Sequence, residues 1–494
     1  MDLPFGNESP DLDVLIVGAG LSGLTSAVKI LDKENSLNLK ILDECEAPGG
    51  QLGTQGIRLV SEGQKELISF LNQLNVPLRQ RTESEGIYLR PYRDLDRGFL
   101  AAPMKFELRR YVNMLDMRMK KFSSLRFPLV KLHKYLNEVN HCERFRLRDR
   151  SVTMERHICS HLLFQQSRQF MSKVVQLCSG WPAKKIKYDE FMCLCSCCGG
   201  LGVILDLYYD MPKSLLDLSC KQLLDSLLDK LKSISIAQNV TVVKVNHFKD
   251  YVEVVDDSGG RYTAQAVILA LPWDRVSELE FYPALPKQFQ TQFERKTPRI
   301  LLTQFYMRYS RSFWIYHGYT GDFSTIEPFM VGFEHMPSEY SGYIVHADGE
   351  LGNVQETVLD MLAEPFGEEM RSPLEYNHQT MRLNTSLSKP QTKPWLRVIW
   401  AGSSSVATKN RNLMGGAVES GIRAAVNALY VVRPQVVSWR DLSDIQDKKL
   451  YDGVSHNHFS TLLSRLNVYN FTFYSVFIIG IIVLLNFGYR PSAG

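Results

Sequence analysis

The stretch that most constrains this chain runs from Asp13 to Leu31. Asp13-Val-Leu-Ile-Val17 is a short, β-rich apolar run that leads straight into Gly18-Ala19-Gly20-Leu21-Ser22-Gly23. Leu21, Leu24, Ala27, Val28 and Leu31 then recur at the spacing of one helix face. Strand, glycine-rich turn and helix in this order open a βαβ unit of the dinucleotide-binding kind. Gly18 permits the tight turn, Gly20 lets backbone approach a pyrophosphate, and Gly23 lets helix and strand pack closely. The helix start offers free N–H groups to the phosphates. A second strand, Leu37-Asn-Leu-Lys-Ile-Leu42, ends at Asp43, 20 residues after Gly23, where a ribose-binding carboxylate belongs.

After Asp43 and Glu44 the chain reaches Gly49-Gly50-Gln51: an acid, five residues, a glycine pair and a long polar residue. Near the other end, Trp395-Leu-Arg-Val-Ile-Trp400 reads as a strand and runs into Ala401-Gly402-Ser403-Ser404-Ser405. Leu413-Met414-Gly415-Gly416-Ala417 then opens a helix that continues through Leu429. Between these ends, Val240–Val245 and Tyr251–Val255 read as a hairpin, and Ala264–Leu271 as a returning strand. In this order the segments resemble the flavin amine oxidase superfamily over roughly residues 12–430. The resemblance implies FAD, held by residues 18–23, Asp43, Glu44, Gly49, Gly50 and Gln51. It also implies an adenine contact from the backbone of Val245. Gly402, Ser403, Met414, Gly415 and Ala417 would face the flavin, a helix start stabilising negative charge on the reduced ring. An amine and O2 are the implied reactants.

At 494 residues with 45% apolar and 22% charged side chains, the chain has length for two or three ordinary globular cores. A net charge of +4 argues for no nucleic-acid partner. The fold class expected is α/β, with a Rossmann-like FAD-binding domain, a mixed-sheet substrate domain and a C-terminal transmembrane helix. The expected parts are 12–104, 236–285 and 395–430 for the FAD domain, and 105–235 and 286–394 for the substrate domain. Residues 431–465 are read as a linker, and 466–489 as the anchor.

The anchor rests on a stretch without charge from Leu466 to Tyr489, bounded by Arg465 and Arg490. A helix of about 20 residues spans a bilayer core. Met1–Pro10 lacks the pattern of a signal peptide. The body is therefore expected in the cytosol, on the mitochondrial outer membrane or the endoplasmic reticulum. With the flavin segments, the anchor resembles the tail-anchored monoamine oxidases, and a homodimer is left open. Nine cysteines, none beyond Cys220, read as reduced thiols. Cys193-Leu-Cys195-Ser-Cys197-Cys198 is read as buried small side chains, with no metal expected.

Departures from the family fall at the chemistry. Covalent FAD in monoamine oxidases uses a cysteine shortly before the C-terminal motif, and none stands there, so FAD is expected to be non-covalent. The family lysine near flavin N5 sits nine residues before a Phe-Trp pair. Here Phe313-Trp314 is preceded at that distance by Gln304, the one weak catalytic candidate. Leu413 stands where one of two substrate-flanking tyrosines belongs, and the glycine pair expected near 217–218 is Asp217-Leu218. Two functions follow: an FAD-dependent amine oxidase, or a membrane-anchored FAD-binding pseudoenzyme.

Overall fold

The computed structural model describes residues 9–52, 57–80, 87–89, 101–119, 152–210, 216–286, 289, 300–383, 390–404, 406–445, 475–476 and 479. Its largest sheet has eight strands: β1 (Leu12–Val17), β2 (Leu39–Leu42), β7 (Ser235–Ala237), β8 (Val242–His247), β9 (Val252–Asp256), β10 (Arg261–Leu269), β11 (Glu280–Tyr282) and β17 (Val398–Trp400). β1 lies between β10 and β2, parallel to both, and β17 adds parallel to β10. β1 is apolar without alternation because both its faces are covered. Val14 and Ile16 meet Leu24 and Ala27 of α1 (Leu21–Lys33), while Leu15 and Val17 face Val245, Val254 and Trp400.

Two smaller sheets complete the frame. One joins β5 (Ile87–Leu89), β12 (Ile300–Arg308), β13 (Tyr319–Thr325), β14 (Phe329–Met336), β15 (Glu339–Ala347) and β16 (Glu375–Arg382). The other joins β3 (Ile57–Val60), β4 (Arg79–Gln80) and β6 (Leu216–Ser219). α2 (Lys65–Gln73) follows β3. Helices α3 (Ala101–Met119), α4 (Met154–His161), α5 (Gln165–Ser179), α6 (Tyr188–Cys197) and α7 (Leu201–Leu205) cover the β12 face that carries Ile300 and Leu302. The opposite face, with Phe305 and Met307, packs on α9 (Val354–Phe366); α8 (Cys220–Lys230) and α10 (Met414–Val432) lie in the core of the largest sheet.

Some expected elements differ. The apolar spacing of 155–180 predicts one helix, and that of 213–232 another. The first is split at Leu162–Phe164 into α4 and α5. The second begins only at Cys220: Leu216-Asp-Leu-Ser219 alternates and pairs with β3, burying Leu218. The polar sequences of β13 and β16 carry no strand pattern, and β17 is shorter than Trp395–Trp400.

The expected anchor lies outside the described residues, save Ser475, Val476 and Ile479, which are helical. Among the described residues no single helix is long and apolar enough to cross a membrane. The pair Tyr188–Cys197 and Leu201–Tyr208, bent by 71°, reaches that length together, but its apolar side chains fill the helical core.

Candidate dinucleotide site and its seam with the helical lobe

The glycine-rich turn lies at the C-terminal edge of β1. Gly18 has φ +105, and a Cβ there would stand 2.6 Å from the Ala270 carbonyl oxygen. A Cβ on Gly23 would stand 2.0 Å from the Gly18 oxygen, so α1 lies directly on the turn. Gly20 is different: a Cβ there would meet nothing within 4 Å. It is the N-cap of α1, and no side chain caps that helix. The first turn therefore opens its N–H groups onto empty space, the arrangement that receives an anion. Leu21 and Ser22 are buried behind it, with Ser22 against Gly421 of α10.

The second glycine loop docks on the first. Gly49 pairs with Gly20 and donates its N–H to the Ala19 carbonyl at 2.9 Å, and the Cα of Gly20 lies 3.3 Å from where a Gly50 Cβ would be. Asp43 is buried and ties the two together: its Oδ2 accepts the Ala19 N–H at 3.0 Å and its Oδ1 the Cys45 N–H at 3.2 Å. Glu44 forms a 3.0 Å ion pair with Arg275. Gln51 is exposed, and its carbonyl accepts from Arg58 at 3.4 Å.

Val245 is not part of this cluster. It sits inside β8, fully buried, between Val254 of β9 and Phe281 of β11. The segment that does reach Asp43 is Ala237–Val240: the Ala237 carbonyl accepts the Asp43 N–H at 2.9 Å, and the Val240 N–H reaches the Asp43 carbonyl at 2.8 Å. The hairpin starts two residues later than its sequence pattern implied, which moves the spacing.

The C-terminal motif lies at a seam between two cores. Gly402 follows β17 with φ +147 and donates to Ser420 Oγ at 3.0 Å. The Ser403 carbonyl accepts the Asn412 N–H at 3.0 Å. Leu413 packs against the helical-lobe core, whereas the next residue, Met414, packs against the core of the largest sheet. Ala417 is buried in that same core. The Gly415 N–H donates to Gln64 Oε1 at 3.0 Å. Glu419 accepts from the backbone and hydroxyl of Thr408 and from Arg423, holding loop 401–413 on α10.

Gln304 lies on β12, level with Tyr343 and Gln379, on the face turned to the helical lobe. Its side-chain oxygen accepts from Arg58 of β3. Tyr343 donates its hydroxyl to the carbonyl of Tyr208, and the two rings meet edge-on at 6.0 Å. Burial pushes the Tyr208 phenol up, and the charge of Arg58 works against that. Arg58, Gln64 and Tyr208 were missed from sequence. Arg58 carried the only usable signal, a cation inside the short apolar run Ile57–Val60.

The cysteine cluster closes the other side. Cys195 and Cys198 are buried, and Cys198 Sγ donates to the Arg411 carbonyl at 3.1 Å. Burial pushes the Cys195 and Cys198 thiols up, the state of inert structural cysteines. Cys197 and Cys198 border a cavity of about 410 Å³ that also touches Glu62, Asp206 and Lys409. Among the described residues no group of three or more His, Cys, Asp or Glu side chains is placed to hold a metal ion.

Paired glycine loops at the parallel strands of a mixed sheet, joined to a lobe of antiparallel sheet and helices, define an α/β fold of the flavin-oxidoreductase class. The family is specific: residues 21–429 match the family described as flavin containing amine oxidoreductase, and the chain belongs to it. Among solved structures, putrescine oxidase bound to putrescine shares the fold with a TM-score of 0.65 at 18% identity, over 85% of this chain and 99% of that one. Cyclohexylamine oxidase from Brevibacterium oxydans IH-35A gives a TM-score of 0.65 at 17% identity, over 86% of this chain and 100% of that one. No curated protein is matched by sequence.

Proposed function

We propose that this protein is an FAD-dependent amine oxidase that holds its flavin non-covalently. The observation that carries the reading is the open space over Gly20, at an uncapped helix start and beside a second glycine loop. A dinucleotide pyrophosphate fits there, and FAD is the dinucleotide that suits a flavin family. The α1 N–H groups would hold the phosphates, and Asp43, whose oxygens retain lone pairs, would accept from ribose. Gly49–Gln51 would border the second phosphate. Ala237–Val240, rather than Val245, would meet the adenine.

When bound, FAD would supply two-electron chemistry, taking a hydride equivalent from the amine C–N unit and returning it to O2 as hydrogen peroxide, and hydrolysis of the released imine would give an aldehyde and ammonia or an amine. The protein supplies placement and electrostatics. At the start of α10 the N–H of Met414 would be the one offered to the ring, since those of Gly415, Gly416 and Ala417 are bonded to Gln64 and Leu413. Leu413, Tyr208 and Tyr343 form an apolar and aromatic wall at the seam, which suits an amine entering uncharged. The absence of cysteine after Cys220 supports non-covalent attachment, since the thioether link of monoamine oxidases has no residue to form on there. The uncharged stretch 466–489 would anchor the body to the mitochondrial outer membrane, with the endoplasmic reticulum as the alternative.

A second reading, an FAD-binding protein without amine turnover, draws on Leu413 and Gln304 standing where the family has tyrosine and lysine. One experiment separates the two. Full-length protein in detergent is examined for a flavin spectrum, then mixed anaerobically with a panel of amines. Bleaching by an amine supports the oxidase. A bound flavin that no amine reduces leaves the second reading, and absence of flavin after reconstitution removes both.

A further inference from the structure

We propose that Arg58 is a positioning residue of this site: it brings a positive charge to the Gln304 side of the seam and occupies the Gln304 side-chain oxygen, leaving that amide only its N–H groups to offer a ligand. The inference rests on the flavin reading above. Arg58 lies on β3, immediately after the second glycine loop, and Gln304 lies 246 residues away on another sheet. One terminal nitrogen of Arg58 donates to both the Gln51 carbonyl and the Gln304 side-chain oxygen. It thus ties the loop beside the phosphate turn to the strand that faces the helical lobe.

The chemistry of the two side chains fixes the orientation. A guanidinium has donors only, so the side of Gln304 that meets it must be the carbonyl oxygen. The amide is planar, so its NH2 points away from Arg58. Gln304 is thereby left to act as a donor, because Arg58 has taken up its acceptor. A lone glutamine leaves that choice open; a glutamine bonded to arginine does not. The charge also reaches across the seam, since Arg58 acts on both Tyr208 and Cys220 against the burial that raises them. Gln304 alone carries no charge, and the pair delivers one donor and one cation from two different sheets.

The test uses flavin-loaded full-length protein and variants R58Q, R58K and Q304L. The main readout is affinity for sulfite, an anion that adds to oxidised flavin and is favoured by nearby positive charge; the second is the flavin midpoint potential. R58Q is expected to weaken sulfite binding about tenfold, the order of effect of one charge in a partly buried site, and to lower the potential. R58K keeps the charge and is expected to stay within about threefold of wild type. Q304L keeps the charge and loses the donor, so its sulfite affinity holds while amine reduction slows. R58Q with sulfite affinity and potential equal to wild type overturns the proposal. Should R58Q fail to retain flavin, R58M, which keeps the packing of the stem and removes the charge, takes its place: sulfite affinity about tenfold weaker supports the proposal and affinity equal to wild type overturns it. Failure of every amine to bleach wild-type flavin sinks the oxidase reading alone, because the sulfite ratios are measured without amine.

Discussion

Gln64 Oε1 accepts the backbone N–H of Gly415 at 3.0 Å, joining the turn after β3 to the first turn of α10 across 351 residues. Gln64 is only 2% exposed, so water cannot replace it. Substitution Gln64→Leu keeps the volume and orphans the Gly415 donor. Leaving a buried donor unsatisfied costs about 1–3 kcal/mol. Urea unfolding should show a lower midpoint with an unchanged slope, and flavin should dissociate more readily if, as proposed, this helix start faces the ring. An unchanged midpoint would mean that the turn rearranges to supply another acceptor.

Gly20 and Gly23 are three residues apart, yet their replacement by alanine should give different failures. At Gly23 a Cβ meets backbone at 2.0 Å, so α1 and β1 must separate. Gly23→Ala should be recovered poorly or unfolded. At Gly20 the Cβ meets nothing and φ is −74, an ordinary value for alanine. Gly20→Ala should fold with normal circular dichroism and thermal midpoint while losing flavin, because the methyl occupies the space left for phosphate. Full flavin retention by Gly20→Ala would place the phosphates elsewhere.

The distribution of what could be read from sequence has a physical cause. β1, the glycine turn, α1 and Asp43 lie within about one βαβ unit, where spacing in sequence maps directly to spacing in three dimensions. The strands of the antiparallel sheet are recognisable wherever apolar residues alternate or run on. Val245 lies inside β8, away from Asp43, because the strand begins two residues later than its apolar pattern implies. Leu216–Ser219 looked helical beside α8, although alternation and pairing with β3 make it a strand. Arg58–Gln304 and Gln64–Gly415 join residues hundreds apart, and no local pattern records such a pair.

His247 gives a pH dependence with a definite sign. Its Nε2 accepts the Arg397 N–H at 2.9 Å, so the folded ring is neutral, and Nδ1 lies 2.9 Å from the Phe248 carbonyl. Burial, the largest cause, lowers its pKa, with Arg397 adding to that. An ordinary histidine titrates near about 6.5. Above that pH both folded and unfolded states are neutral and stability is flat. As pH falls through it the unfolded state takes up a proton and the folded state does not, so stability declines until the folded pKa is passed. His247→Gln should reduce the slope of the unfolding free energy between about pH 7 and 5. A slope identical to wild type would show that other histidines, such as the similarly depressed His335, carry it.

The Glu419–Arg423 pair tests whether the loop before α10 is held electrostatically. Arg423 is 4% exposed, bonds Glu419 one helical turn away, and donates to the Val406 carbonyl at 2.6 Å. Glu419 in turn accepts the Thr408 N–H at 3.1 Å and hydroxyl at 3.0 Å. Glu419→Gln keeps an acceptor for Thr408 but leaves the arginine charge buried without its counter-ion. Breaking one side of such a pair costs about 3–5 kcal/mol, much more than replacing both partners with apolar groups of similar volume. Glu419→Gln should therefore lower the unfolding free energy by that amount, and the double variant Glu419→Leu with Arg423→Met should recover a large part of it. If the double variant is the less stable, the dominant contribution is not charge pairing but the Thr408 and Val406 hydrogen bonds, which the double variant also removes.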